Sequence, residues 1–143
     1  MNYKKILIAV DSSEYAMRAA KKGLQLAHQL NADAALLYVV DTTKAMGNID
    51  AGIFPEEALM VLKKEVEQTL DQLARMYNGK NLVKLMPEGH PTEDIIQTAE
   101  TWGADLIVIG THGRTGLMHL LMGSVAEYLV RHSKLPVMVV PAK

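Results

Sequence analysis

The chain has 143 residues, 49% of them hydrophobic and 22% charged, which suits one globular domain spanning residues 1–143 and burying its own core. A net charge of -1 excludes a broadly basic nucleic-acid surface, and the absence of cysteine excludes disulfides, thiolate metal sites and cysteine nucleophiles together. "MNYKKILIAVDSS" has two lysines and then only five apolar residues, too few for a signal-peptide core, and no segment reaches membrane-spanning length; a cytoplasmic protein without membrane or nucleic-acid partners is expected.

In chain order, "ILIAV" (Ile6 to Val10) predicts a buried strand. Ser12 or Ser13 then offers an N-cap, with Glu14 in the first turn of a helix carrying Met17, Ala20, Leu24 and Ala27 on one face. "AALLYVVD" (Ala34 to Asp41) predicts the second strand, and residues 42–54, without periodicity and with two glycines, a mobile loop. Pro55 suits a first helical position, with Glu56 and Glu57 at the positive end. Leu59, Leu62, Val66, Leu70, Leu73 and Tyr77 form the inner stripe of that helix, and Asn78-Gly79 ends it. "LVKLM" (Leu82 to Met86) is a weaker third strand. "PEGHP" turns the chain, and Thr92 is expected to cap a helix carrying Ile95, Ile96, Ala99 and Trp102, with Gly103 at its end. "DLIVIG" predicts a fourth strand, Val125 to His132 a fourth helix and "LPVMVV" (Leu135 to Val140) a fifth strand.

Strands alternating with helices predict an α/β fold: a doubly wound, five-stranded parallel sheet in the order 3-2-1-4-5, with helices on both faces. Ligands of such sheets bind outside the carboxyl ends of the strands where the winding reverses. Here those ends are "AVDSS" after the first strand and "GTHGRTG" after the fourth.

The second of these opens "GTHGRTGLMHLLMGSVAEYLVRH", which crowds Gly110, Gly113, Gly116 and Gly123 together, with Ser124 after the last. Such a stretch reads either as loop turns and helix ends or as a phosphate cradle. A cradle needs converging backbone N–H groups and a helix N-terminus whose first donors lack partners. Ser124-Val125-Ala126-Glu127 fits a capping box, which puts the N–H groups of Ser124, Val125 and Ala126 and the Ser124 hydroxyl within reach of an anion. The same residues could simply cap one another. No Walker loop, dinucleotide fingerprint, serine-hydrolase elbow or clear metal-ligand spacing is present.

At this point the chain resembles a known family. Gly110-x2-Gly113-x9-Gly123-Ser124 matches the G-2x-G-9x-G-[ST] signature of the nucleotide-binding branch of the universal stress protein family. "KKILIAVDSS", "LLYVVD", "EGHPTEDIIQTAE" and "LPVMVVP" extend the likeness over essentially the whole chain. The resemblance implies ATP with Mg2+, Ala9 and Asp11 near the nucleoside, and Val39 giving backbone hydrogen bonds to adenine. It implies Gly110 at the ribose and Gly113, Arg114, Gly123, Ser124, Val125 and Ala126 around the phosphates. The family often has proline where this chain has Ala9, so a contact there would come from the backbone.

Other readings stay beside these. Asp11 reads as a nucleotide or magnesium contact, or as a cap for the helix that follows. His112 and Arg114 read as phosphate ligands or as solvated loop residues. Phosphoryl transfer needs an organised metal, a positioned nucleophile and charge stabilisation. Asp11, His112 and Arg114 make no compelling set for it, so an ATP-binding stress-response sensor or regulator with slow or no hydrolysis is expected. The rivals are an ATP hydrolase or phosphotransferase on the same scaffold, and a nucleotide-free interaction module. A homodimer paired through the C-terminal strand, and a downstream protein partner of unknown identity, complete the expectation.

Overall fold

Ile6, Ile8 and Val10 face one side of the sheet, Leu7 and Ala9 the other, and both sets are buried. That double burial is why the first strand reads as a continuous apolar run rather than an alternating one. The computed structural model describes residues 2–11, 13–111 and 122–141. Its elements run β1 (Lys5–Ala9), α1 (Glu14–Gln29), β2 (Asp33–Leu37), α2 (Pro55–Arg75), β3 (Leu82–Leu85), α3 (Glu93–Trp102), β4 (Leu106–Gly110), α4 (Ser124–His132) and β5 (Val137–Val140). The strands form one parallel sheet in the order β3-β2-β1-β4-β5, the expected arrangement.

Two cores flank this sheet. On one face Ala20, Leu24 and Ala27 of α1 and Val66, Leu70 and Leu73 of α2 pack on Ile6, Ile8, Leu36 and Val108. On the other, Ile95 and Ala99 of α3 and Ala126 and Leu129 of α4 pack on Leu7, Leu37, Ile107 and Ile109. The helices before the reversal thus cover one face and those after it the other, which opens a crevice between the carboxyl ends of β1 and β4. Where α1 crosses the sheet, its backbone comes so close that a Cβ on Gly23 would lie 2.9 Å from Ile8 Cγ1 and 3.2 Å from Val108 Cγ1.

Several expected boundaries move. The second strand ends at Leu37 rather than Asp41, although Val40 still bridges to Glu88. Residues 42–54 fold into two 3-10 turns, Thr42–Lys44 and Ile49–Ala51. The Asp41 and Asn48 side chains cap these turns, and mutual backbone bonds between Asn48 and Ile53 close the second. Local side-chain capping of this kind leaves no hydrophobic period to read. Helix α2 ends at Arg75, so Tyr77 packs against the core from beyond the helix. Thr92 makes no side-chain cap bond; the Asp94 carboxylate instead accepts from the His90 N–H and closes the approach to α3. Gly103, at φ 83°, terminates α3 as expected.

Candidate functional site

The crevice holds a cavity of about 270 Å³ walled by the carboxyl ends of β1, β2 and β4 and the start of α4. Ala9, Asp11, Val39, Gly110, Gly123, Ser124, Val125 and Ala126 all line it, so the structure gathers eight of the residues singled out in the sequence around one space. His112, Gly113 and Arg114 lie outside the described residues.

At one wall the chain supplies hydrogen-bond donors. Helix α4 begins one residue earlier than the capping box implied: Gly123 is the N-cap and Ser124 the first helical residue. The reason is a tether. The Gly123 N–H donates to the Thr111 carbonyl at the end of β4, while the Gly123 carbonyl accepts the first helical bond from Glu127 at 2.9 Å. Ser124, Val125 and Ala126 then occupy the first turn, where N–H groups have no intrahelical acceptor. No side chain caps the helix; the Glu127 carboxylate pairs with Arg131 at 3.0 Å. The wall therefore presents three backbone donors and the positive end of a helix dipole to the cavity.

At the opposite wall β1 and β2 part company. Val10 N–H still reaches the Leu37 carbonyl at 2.8 Å, and Tyr38 and Val40 donate to Leu85 and Pro87 on the β3 side. Val39 N–H and C=O are left without a hydrogen-bond partner among the described residues, at the cavity surface. The Val39 side chain meanwhile packs into the second core and fixes that edge. A donor and an acceptor side by side on rigid backbone suit the edge of a planar heterocycle.

Asp11 supports the entry to α1 and also lines the cavity. Its Oδ1 accepts from Ser13 N–H at 2.8 Å, and Ser13 is the N-cap of α1, its Oγ accepting from Ala16 N–H at 3.1 Å. Oδ2 has no hydrogen bond among the described residues, and the residue lines the cavity. The carboxylate is thus oriented by the turn through one oxygen only.

Three polar residues that the sequence reading passed over also reach the cavity. Thr111 lines it, and its hydroxyl oxygen is buried without a hydrogen-bond partner among the described residues. Asp41 and Lys44 line it from the first 3-10 turn. Asp41 Oδ1 accepts from the Thr43 hydroxyl at 2.6 Å and the Thr43 N–H at 3.1 Å. The Thr43 hydroxyl bond, the backbone bond and the charges of Lys44 and His90 outweigh partial burial and hold the Asp41 carboxyl below its ordinary value of 3.8. The capped turn is therefore fully supported at neutral pH, and that support is lost only as pH falls through the lowered value. A hydroxyl directly after the fourth strand was the one available sequence signal for Thr111. Asp41 and Lys44 became visible only once β2 was seen to stop at Leu37.

Among the described residues no three His, Asp or Glu side chains cluster at metal-binding spacing, and no helix is long and apolar enough to cross a membrane. Chemically the cavity suits a ligand that is apolar and planar at one end and anionic at the other.

The chain is also similar to known proteins in sequence and fold. The chain is 38% identical over 140 residues to the universal stress protein MJ0531 of Methanocaldococcus jannaschii, covering 96% of this chain and 82% of that one. It superposes on the solved structure of the protein MJ0577 with a TM-score of 0.87 and 30% identity, covering 100% of this chain and 99% of that one. MJ0577 is likewise a universal stress protein of M. jannaschii. The universal stress protein UspA from Lactobacillus plantarum follows at 0.84 and 27%, covering 98% and 99%. The same fold recurs at 22% identity in a universal stress protein solved in complex with cAMP, TM-score 0.70, and in one from Archaeoglobus fulgidus solved in complex with dAMP, TM-score 0.65. A family model for the universal stress proteins matches residues 2–141. With fold, chain length and family model in agreement, the chain belongs to the universal stress protein family.

Proposed function

We propose that the chain is a single nucleotide-binding domain that takes ATP with Mg2+ in the crevice and acts as a cytoplasmic stress-response sensor or regulator. The observation that carries this reading is the pairing of unsatisfied groups across one cavity. Three N–H donors of α4 lie at one wall, and the unpartnered Val39 N–H and C=O lie at the other. A triphosphate suits the first and an adenine edge the second. The cAMP and dAMP complexes of distant relatives are consistent with nucleotide chemistry on this fold. Gly110 lies between the walls, where a ribose would sit, and Gly113, Arg114 and His112 are proposed as further phosphate contacts on the glycine signature alone. Magnesium would travel with the phosphates, and Asp11 Oδ2 is a carboxylate oxygen at this crevice proposed to meet it or its waters. Titration calorimetry with ATP, with and without magnesium, tests the reading. Saturable one-to-one binding is expected, and no heat and no competition at millimolar ATP would overturn it.

Hydrolysis is expected to be slow, far below the roughly 1–10³ s⁻¹ typical of enzymes. The one acid lining the first-strand end, Asp11, is held by Ser13 N–H, and no histidine among the described residues lines the cavity. Single-turnover assays with labelled ATP should show nucleotide largely intact over many seconds. Rapid turnover that disappears in Asp11→Asn would make the protein an ATPase instead.

The sheet edge supports a homodimer. Thr111 N–H donates to Val140 C=O at 2.9 Å and Ile107 N–H to Pro136 C=O at 3.0 Å, so in the alternating parallel ladder Val137 and Val139 turn their backbone groups outward. The opposite edge, β3, carries Lys84 paired to Asp71, whereas β5 carries no charge. Val139→Pro removes an outward donor and should convert a dimer to monomer with the fold intact. Met138→Pro removes a bond to β4 and should destabilise the sheet. Light scattering coupled to size exclusion reads the masses; a wild-type monomer, or a dimer untouched by Val139→Pro, contradicts the arrangement.

A further inference from the structure

The charges of this chain are unevenly placed. Residues 15–32 and 72–87 carry six lysines and arginines and no carboxylate, which leaves nine lysines and arginines against sixteen carboxylates elsewhere. The two stretches meet at a second cavity, of about 510 Å³, which shares no residue with the crevice. Arg18, Lys21, Lys22, Gln25 and His28 line it from α1, spaced by three and four residues so that they form one stripe about 15 Å long. Met76, Tyr77 and Asn78, the residues that follow α2, line its other side. Buried Leu24 gives it an apolar base, beside Tyr77, which packs on the first core.

Protein carboxylates do not answer these cations. Those that bound the two stretches are Glu14, Asp33, Asp71 and Glu88, and none lines the cavity. Asp33 accepts from the Asn81 amide at 3.0 Å, Asp71 pairs with Lys84, and Glu88 pairs with Lys63. No carboxylate pairs with Lys21, Lys22 or His28 among the described residues. At the end of α2 the Leu73 and Ala74 carbonyls already accept from the Met76 and Tyr77 N–H groups. We infer that this cavity binds a compact small-molecule polyanion, one that carries several phosphate or carboxylate groups. Arginine and lysine one helical turn apart meet successive anionic groups, and His28 and the Gln25 and Asn78 amides add N–H donors. The volume falls within the roughly 300–1,000 Å³ of small-molecule sites, so it suits a molecule rather than a lone ion. An extended nucleic acid fits poorly, because it would run from this patch onto a chain surface where carboxylates outnumber cations. The inference is independent of nucleotide binding in the crevice.

Two-dimensional amide NMR of the whole chain, titrated with inorganic tripolyphosphate and separately with citrate at constant ionic strength, tests this. Amides of residues 18–28 and 76–78 should shift and saturate below about 10 mM with at least one of the two, at least about tenfold more tightly than with sulfate. Shifts at residues 123–126 read the crevice separately. Lys21→Gln with Lys22→Gln should weaken the saturation at least about tenfold. Glutamine forms helix about as well as lysine, so α1 is spared. Gln25→Trp keeps every charge but fills the cavity, and should weaken binding to a similar degree. Lys64→Gln, at an exposed cation elsewhere on α2, should leave it unchanged. Several results would overturn the inference: no saturation with either anion, equally tight sulfate, retention in the double variant, or equal loss in Lys64→Gln. Full retention in Gln25→Trp would also overturn it, by showing a diffuse cationic face instead of a site. Tighter saturation of the same amides by a single-stranded oligonucleotide would overturn it in favour of nucleic acid.

Discussion

Replacing Gly123 by valine is expected to lower ATP affinity by about a hundredfold or more, equivalent to about 2.8 kcal/mol, in a protein that still folds. The cause is space rather than backbone freedom. Gly123 sits at φ -70° and ψ 164°, a conformation open to any residue, and it is buried at the cavity wall beside the three free donors of α4. A branched side chain there must enter the cavity or the core behind it. Valine is also a poorer N-cap than glycine, a loss of order 1 kcal/mol that a thermal melt would register separately. Gly116→Ala, at a glycine outside the signature, is the comparison and should bind nearly as wild type. Calorimetric titration of both variants decides, and unchanged affinity in folded Gly123→Val would remove the phosphate cradle from the account.

The second large effect falls on stability. Gly23→Val is expected to cost about 3 kcal/mol and to lower the melting temperature by about 10 °C. The first added carbon already meets Ile8 Cγ1 at 2.9 Å and Val108 Cγ1 at 3.2 Å, and both partners are fully buried in strands. Two further methyl carbons can be placed only by lifting α1 from the sheet or turning these side chains out of their rotamers. Gly23→Ala gains about 1 kcal/mol of helix propensity against a one-carbon overlap and should fall between the valine variant and wild type. Denaturant unfolding measures the series, and a wild-type midpoint for Gly23→Val would show that the helix–sheet contact is looser than its geometry.

The strand order was legible because both faces of the sheet are covered, which leaves runs such as Ile6 to Val10 and Leu106 to Gly110 unmistakable in the sequence. What the sequence concealed depended on contacts far along the chain. Ser124 fits an N-cap pattern, but the bond from Gly123 to Thr111 starts the helix one residue earlier, and no local rule sees that tether. Continuation of β2 through "YVVD" looks natural, yet β1 ends at Ala9 and its last bond to β2 is from Val10 N–H to Leu37, so pairing on that side stops before Val39 while the β3 side still reaches Val40. That one-sided stop is what leaves Val39 unpartnered and brings Asp41 and Lys44 to the cavity. Gly23 gave no signal either, since a glycine inside a helical pattern looks like a weakness until the sheet is placed beneath it.

The most direct measurement is mass spectrometry of the small molecules released when freshly purified protein is denatured, repeated after incubation with ATP and magnesium and removal of free ligand. An adenine nucleotide is expected, close to one per chain after incubation, and it should be lost from Gly123→Val. A protein that releases no adenine nucleotide in either preparation would contradict nucleotide binding in the crevice.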